Sequence, residues 1–290
     1  MQLAVNIAVL AAIYALIACG YVLIYRTSRV LSLAHGELMM LGAYGLAATA
    51  SLFAGHPLVA IGTSALLALT VGVLVYVLLM RRMTGESVLA AVLTTIALGI
   101  LLRGAMILAF GTQTQYPLQQ LGWTNASLPV GAGARISAAG LVLVVGTAAV
   151  YAGLFAFLRF TRWGIRTRAA GQNPLLAAQR GIRLHGVYAL AWGLATFTGG
   201  IAGMLIACDA GIEATLVTIG LKAFPAALVG GLDSLLGALL GSIIIASAEV
   251  LLINYVDPLL SDVVPFFVLL AMLVVRPWGL FGTREELDRV

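Results

Sequence analysis

RFTRWGIRTRAAGQNPLLAAQRGIRLHG (Arg159–Gly186) is a polar island between two apolar runs, each long enough to cross a bilayer. It holds six arginines (Arg159, Arg162, Arg166, Arg168, Arg180 and Arg183) and no Asp or Glu. Basic loops are retained on the cytoplasmic side, so this island is expected to orient every span around it. It also contains a short helix with both ends marked. Asn173 is a good N-cap, Pro174 suits the first helical position and Gly181 suits a left-handed stop. Arg180 falls in the last turn, where a cation opposes the negative end of the helix dipole. With Leu176 on it, the 173–181 helix is predicted to be a docking element for a soluble partner.

Outward from the island, the chain is apolar almost throughout. Hydrophobic residues make up 62% and charged residues 9% of the 290 positions, and mean hydropathy is +1.08. A soluble domain carries roughly a quarter charged residues. The apolar runs are continuous and reach the length a helix needs to cross about 30 Å of hydrocarbon, which excludes a β-barrel. The fold expected is an all-α polytopic transmembrane bundle, one permease domain over residues 1–290 with its cytoplasmic coupling loop at 159–186. The net charge of +5 resides in loop arginines; it reports topology and contact with anionic lipid, and nucleic acid is not an expected partner. Cys19 and Cys208 form no metal or redox pattern and read as packing residues. The first apolar run lacks the features of a cleaved signal and is expected to remain as a span.

Spans are predicted at 3–25, 36–54, 58–80, 87–110, 137–158 and 187–207. Arg26, Arg29, Arg81, Arg82 and the island alternate consistently on the cytoplasmic side, and the 111–136 loop faces outward. Residues 215–256 are interrupted by Lys222, Pro225, Gly230-Gly231 and Asp233. They read as a broken or re-entrant element at 215–231, a corner at Gly230–Ser234 and a span at 235–256. A last span at 259–275 returns Arg276, Arg284 and Arg289 to the cytoplasm, giving eight to nine membrane elements with the N-terminus outside. Residues 33–43 echo 229–239, each with small residues and an acid opening a Gly-rich span. Descent from a repeat and chance likeness of two Gly/Leu-rich helices both remain open.

Enzyme signatures are absent: no GxSxG, HExxH, Walker A or strand-following GxGxxG occurs. No catalytic residue, cofactor or metal is expected. Five ionisable residues are candidates for a pathway or gate. His35 and Glu37 are two apart on a helix, a poor metal pair. They read either as a polar helix start, with His35 capping or meeting headgroups, or as a gating element. Arg103 lies inside a span, where it costs about 2.5–3.5 kcal/mol unless paired or wetted. Counted from the cytoplasmic ends, Arg103 and Glu249 lie about 24 and 21 Å deep. With Lys222 they are expected to form a charge cluster, structural or solute-contacting. Gly199, Gly200 and Gly203, and Gly237 with Gly241, form small-residue faces for close helix approach.

Four blocks carry a family resemblance. LSLAHGELMMLGAY (31–44) resembles the signature of branched-chain amino acid ABC transporter permeases of the LivH-like half. TIALGILL (95–102), the segment from Arg166 to Ile182, and GLKAF (220–224) continuing through Gly230-Gly231 and Gly237 follow in the family's order. The resemblance covers essentially the whole chain and implies a non-catalytic importer subunit in a bacterial inner membrane. It also implies a second homologous permease, two cytoplasmic ATPases docking on the 173–181 helix, and an extracytoplasmic solute-binding protein. The missing Walker motif agrees with ATP hydrolysis on separate subunits. Arg103 stands where relatives often carry Gln, and Leu175 where an acid is common. The solute is left open among branched-chain amino acids, urea, amides and carboxylates. The alternative from the residues alone is a stand-alone channel or ion-coupled secondary transporter using Glu37, Arg103 and Glu249.

Overall fold

The computed structural model describes residues 1–53, 55–131 and 133–282. Arg284 and Arg289, predicted at the tail's cytoplasmic end, lie outside the described residues. The elements are α1 (Gln2–Ser28), α2 (His35–Leu52), α3 (Pro57–Met83), α4 (Val88–Phe110), α5 (Ala138–Phe160), α6 (Arg162–Gln172), α7 (Pro174–Gln179), α8 (Leu184–Ala210), α9 (Leu216–Gly230), α10 (Leu235–Tyr255) and α11 (Val264–Val275). Six of these (α1, α3, α4, α5, α8 and α10) are long and apolar enough to cross a membrane. The fold is an all-α polytopic bundle, as expected.

Burial sorts the helices. The apolar windows of α1 and α8 are 72% and 67% buried, those of α3, α4 and α5 only 28%. α1 and α8 therefore form the centre, with α2 wedged against α8, α3, α9 and α4. Small residues permit this. The Cα of Gly42 on α2 meets the backbone of Gly200 on α8, so closely that a Cβ at Gly42 would collide with it. Gly203 abuts the Met39 carbonyl in the same seam. Without a hydrophobic force between helices in lipid, such backbone approach is the main source of association.

Ends of α1, α3 and α5 with α6 and the start of α8 gather Arg26, Arg81, Arg82, Arg159, Arg162, Arg166, Arg168 and Arg183 at one end of the bundle. The opposite end is covered by a hairpin, Ser127–Pro129 with Arg135–Ser137. It is tied to α1 by Gln2, whose side chain both donates to the Arg135 carbonyl (3.0 Å) and accepts from its N–H (2.9 Å). Nearby Asn125 donates to Asp209 at the end of α8 (2.8 Å).

Two elements start away from the bundle's ends. Gly20 lies eight residues before the end of α1, about 12 Å along the axis, and is covered there by the His35 ring. The Leu33 N–H donates to Thr95 Oγ1 (3.1 Å), seven residues into α4. Residues 29–34 thus climb about 10–12 Å before α2 begins. Arg29 turns this climb with a left-handed backbone (φ 55°) and pairs with Asp233 at the Gly230–Ser234 corner (3.0 Å). The element predicted at 215–231 is α9, 15 residues long, about 22 Å and shorter than the hydrocarbon. Its Gly220 packs against Gly36 at the start of α2. The span predicted at 259–275 is shorter too. Pro258–Asp262 is a 3-10 turn, and the α-helix starts at Val264. Pro265 suits a first turn and cannot continue an upstream helix.

The seam yields a test. Gly42→Val should overpack it at a cost of about 1–3 kcal/mol, read as a lower thermal midpoint of the purified protein in detergent. An unchanged midpoint contradicts the close α2–α8 contact.

Candidate functional site

At the arginine-bearing end, α7 has the predicted caps. Asn173 Oδ1 accepts the Leu176 N–H (3.0 Å), Pro174 occupies the first turn and Gly181 is left-handed at φ 79°. Arg180 follows the last helical residue rather than lying inside the last turn. Only Ala177 of α7 is buried. Leu175 and Leu176 are 70% and 56% exposed, beside the basic Arg180 and Arg183, also exposed. A two-leucine surface of this kind asks for an apolar cover. α7 joins α6, and α6 bears on α1: Gly171 abuts the Arg26 carbonyl, with no room for a side chain. Tyr76, in a π-turn near the end of α3, bonds His185 Nδ1 at the start of α8 (2.8 Å). Displacement of α6 and α7 would therefore be felt at the end of α1 and in the climb to α2.

The start of α2 is a concentration of unsatisfied polar atoms. Ser32 Oγ, both ring nitrogens of His35 and Glu37 Oε2 have no hydrogen-bond partner within 3.5 Å among the described residues, and the Ile17 carbonyl is the backbone group nearest to serving His35. His35 is fully buried, held against Gly20 and Gly199 with its ring centroid 4.7 Å from that of Tyr21. This overturns the sequence reading that allowed it to meet headgroups. The small residues of α1 and α8 leave a slot that only a ring from α2 fills. Glu37 leans its carboxylate over Gly99 of α4, 3.1 Å from where a Cβ would stand. Native proteins rarely leave such atoms unpaired. Arg103 is one helical turn beyond Gly99, exposed and without an ion-pair partner among the described residues. Its charge acts on Glu37.

Lys222 and Glu249 do meet, without Arg103. Lys222 Nζ lies 3.1 Å from Glu249 Oε1 and 2.6 Å from Asp262 Oδ1. Tyr14 donates to Glu249 Oε2 (2.6 Å). One network thus ties α1, α9, α10 and the Pro258–Asp262 turn. The hydrogen bond from Lys222 holds the exposed Asp262 carboxyl below the usual carboxylate range. Sequence reasoning passed over Tyr14 and gave Asp262 no partner. The available signal for Tyr14 was a hydroxyl deep in an apolar run, which needs a partner when buried. Arg29–Asp233 was likewise missed, although each charge stands at a predicted span end.

Breaking a buried pair strands a charge, while removing both partners does not. Lys222→Met alone should destabilise by about 3–5 kcal/mol, and Lys222→Met with Glu249→Leu should recover most of that loss. Thermal unfolding in detergent reads both. Equal losses in the two variants contradict a shared network.

Comparison with known proteins adds to this geometry. The family described as "Branched-chain amino acid transport system / permease component" matches residues 3–273. The "High-affinity branched-chain amino acid transport system permease protein LivH" of Escherichia coli is 30% identical, covering 100% of this chain and 97% of that protein. LivH of Salmonella typhimurium is 29% identical with the same coverage. BraD of Pseudomonas aeruginosa, with the corresponding description, is 28% identical over 100% and 98%. A match along nearly the whole length, on a helical bundle of this kind, places the chain in one family: it belongs to the branched-chain amino acid transport system permease components.

Proposed function

We propose that this chain is the membrane-spanning subunit of an ABC importer that moves a branched-chain amino acid, or a similar small polar solute, into the cytoplasm by ATP-driven alternating access. The family is one of non-catalytic transport subunits, with ATP hydrolysis on separate partners. The observation that carries the reading is α7, a helix attached to the bundle through Ala177 and presenting Leu175 and Leu176 outward amid arginines. It supports docking of two cytoplasmic ATPases, whose nucleotide-driven closure would bias two arrangements of the spans. A ligand shifts a conformational equilibrium only through such differential contact.

On this reading the arginine-bearing end faces the cytoplasm of the bacterial inner membrane and the N-terminus faces out, in keeping with the retention of basic loops. A second homologous permease completes the pathway, and an extracytoplasmic binding protein delivers the solute to the hairpin-covered end. Arg103 supports that arrangement. Its exposed guanidinium cannot rest in lipid cheaply, so the face of α4 that carries it, with Glu37 alongside, is assigned to the partner permease and the pathway between the two. Glu37 and His35 then stand at the narrow start of α2, candidates to change partners as the pathway switches sides.

Reconstitution tests the proposal. The assembled importer should take up solute in proteoliposomes only with ATP and the binding protein. Leu176→Asp with Arg180→Glu should lower uptake by roughly tenfold or more, as loss of an interface anchor does, while membrane insertion is unchanged and residual ATP hydrolysis no longer drives transport. Full uptake by the variant contradicts the role of α7. Uptake by this chain alone without ATP contradicts the importer and favours a channel or ion-coupled carrier.

A further inference from the structure

The end of α1, the end of α5, helix α6 and the start of α10 enclose a cleft of about 380 Å³ that none of the above uses. Three guanidinium groups, Arg26, Arg159 and Arg168, line it. Arg26 is partly buried and close enough to Arg168 for the two charges to act on each other. None of the three has an ion-pair partner within 4 Å among the described residues. Asp233 also faces the cleft and acts on Arg26, but it is bonded to Arg29. The fourth wall is the first turn of α10. The Ser234 hydroxyl accepts the Gly237 N–H (3.0 Å), and the earlier first-turn N–H groups have no intrahelical acceptor, which adds positive potential.

The cleft is also half apolar and continuous with the bilayer-facing surface. Phe155 and Leu236 on its walls are 46% and 56% exposed. From Leu236 an exposed apolar stripe continues along α10 through Leu240, Ile243, Ile244 and Leu251, spaced to share one helical face. Arg26 lies two residues from the end of α1 and Arg159 one from the end of α5, which is headgroup level for both spans. Three guanidinium groups against one carboxylate leave the cleft net positive, which favours an anion, and the stripe leading from them fits an acyl chain. We propose that this cleft binds an anionic phospholipid, with its phosphodiester between Arg26, Arg159 and Arg168 and a chain along the Leu236–Leu251 face. The site is independent of the solute pathway. It would clamp α6, and with it the segment leading to α7, to the membrane surface.

Spin-labelled phosphatidylglycerol and phosphatidylcholine, added in turn to the assembled transporter in nanodiscs, measure the lipid preference directly. The native protein should immobilise phosphatidylglycerol in preference to phosphatidylcholine. Arg26→Gln and Arg168→Gln should each weaken that preference roughly fivefold, the effect of one interfacial cation, and the double variant should abolish it. Arg26→Lys with Arg168→Lys should retain it, and Arg162→Gln, a charge lost outside the cleft, should leave it unchanged. Three results would overturn the proposal: persistence of the preference in the double Gln variant, an equal loss in Arg162→Gln, or failure of the Lys pair to retain it. Displacement of the labelled lipid by soluble glycerol phosphate would also overturn it, by showing a site for phosphate alone.

Discussion

The structure depends on one constraint: α2 begins inside the membrane. Backbone without regular hydrogen bonding is tolerated at that depth only where protein buries it or water reaches it. Every close approach around residues 29–36 serves that requirement. Thr95 accepts the Leu33 N–H, and Gly220 of α9 closes on Gly36. Gly20 makes room for the His35 ring, and the Gly42–Gly200 seam brings α8 against the rest of α2. The two most buried long helices are the ones that build this enclosure. Peripheral helices are held less tightly; α4 packs chiefly on α2 and leaves Arg103 on its outer face.

Charges divide the bundle into working parts. Arg29–Asp233 fastens the climb to α2 onto the corner before α10. Lys222, Glu249, Asp262 and Tyr14 lock the short helix α9 to α1 and α10. Between these two fastened points lie the unpaired atoms of Ser32, His35 and Glu37. At the far end of the same chain of packing, α7 leaves Leu175 and Leu176 exposed, the surface proposed above for a soluble motor.

Much of this was legible in the sequence because its signals are local. Continuous apolar length gave the six long spans, although the predicted 36–54 span, α2, is not among the helices long and apolar enough to cross. Arginine alternation gave a consistent set of ends, and Asn173-Pro174 with Gly181 gave α7 and its caps. The shortness of the element at 215–231 followed from Gly230-Gly231, which end it, whereas Pro225 sits inside a continuous helix without breaking it. What was not legible depends on contacts between distant segments. A His before a helix reads the same whether it meets headgroups or fills a slot between glycines of two other helices. Arg103 and Lys222 lie at similar apparent depths, yet only neighbouring helices decide that Lys222 meets Glu249 while Arg103 stands beside Glu37. The last span was overestimated because hydropathy registers Pro258–Asp262 as near-membrane chain without showing that it coils as a 3-10 turn.

In the proposed importer the start of α2 is the level at which the pathway switches sides, and a cysteine placed there reports it. Glu37→Cys, in a background where Cys19 and Cys208 are replaced, should be introduced into the assembled importer and treated with a membrane-impermeant thiol reagent from each side. The account predicts labelling from one side without nucleotide and loss or reversal of that access when the ATPases are trapped closed. Labelling that is identical in both nucleotide states would contradict it.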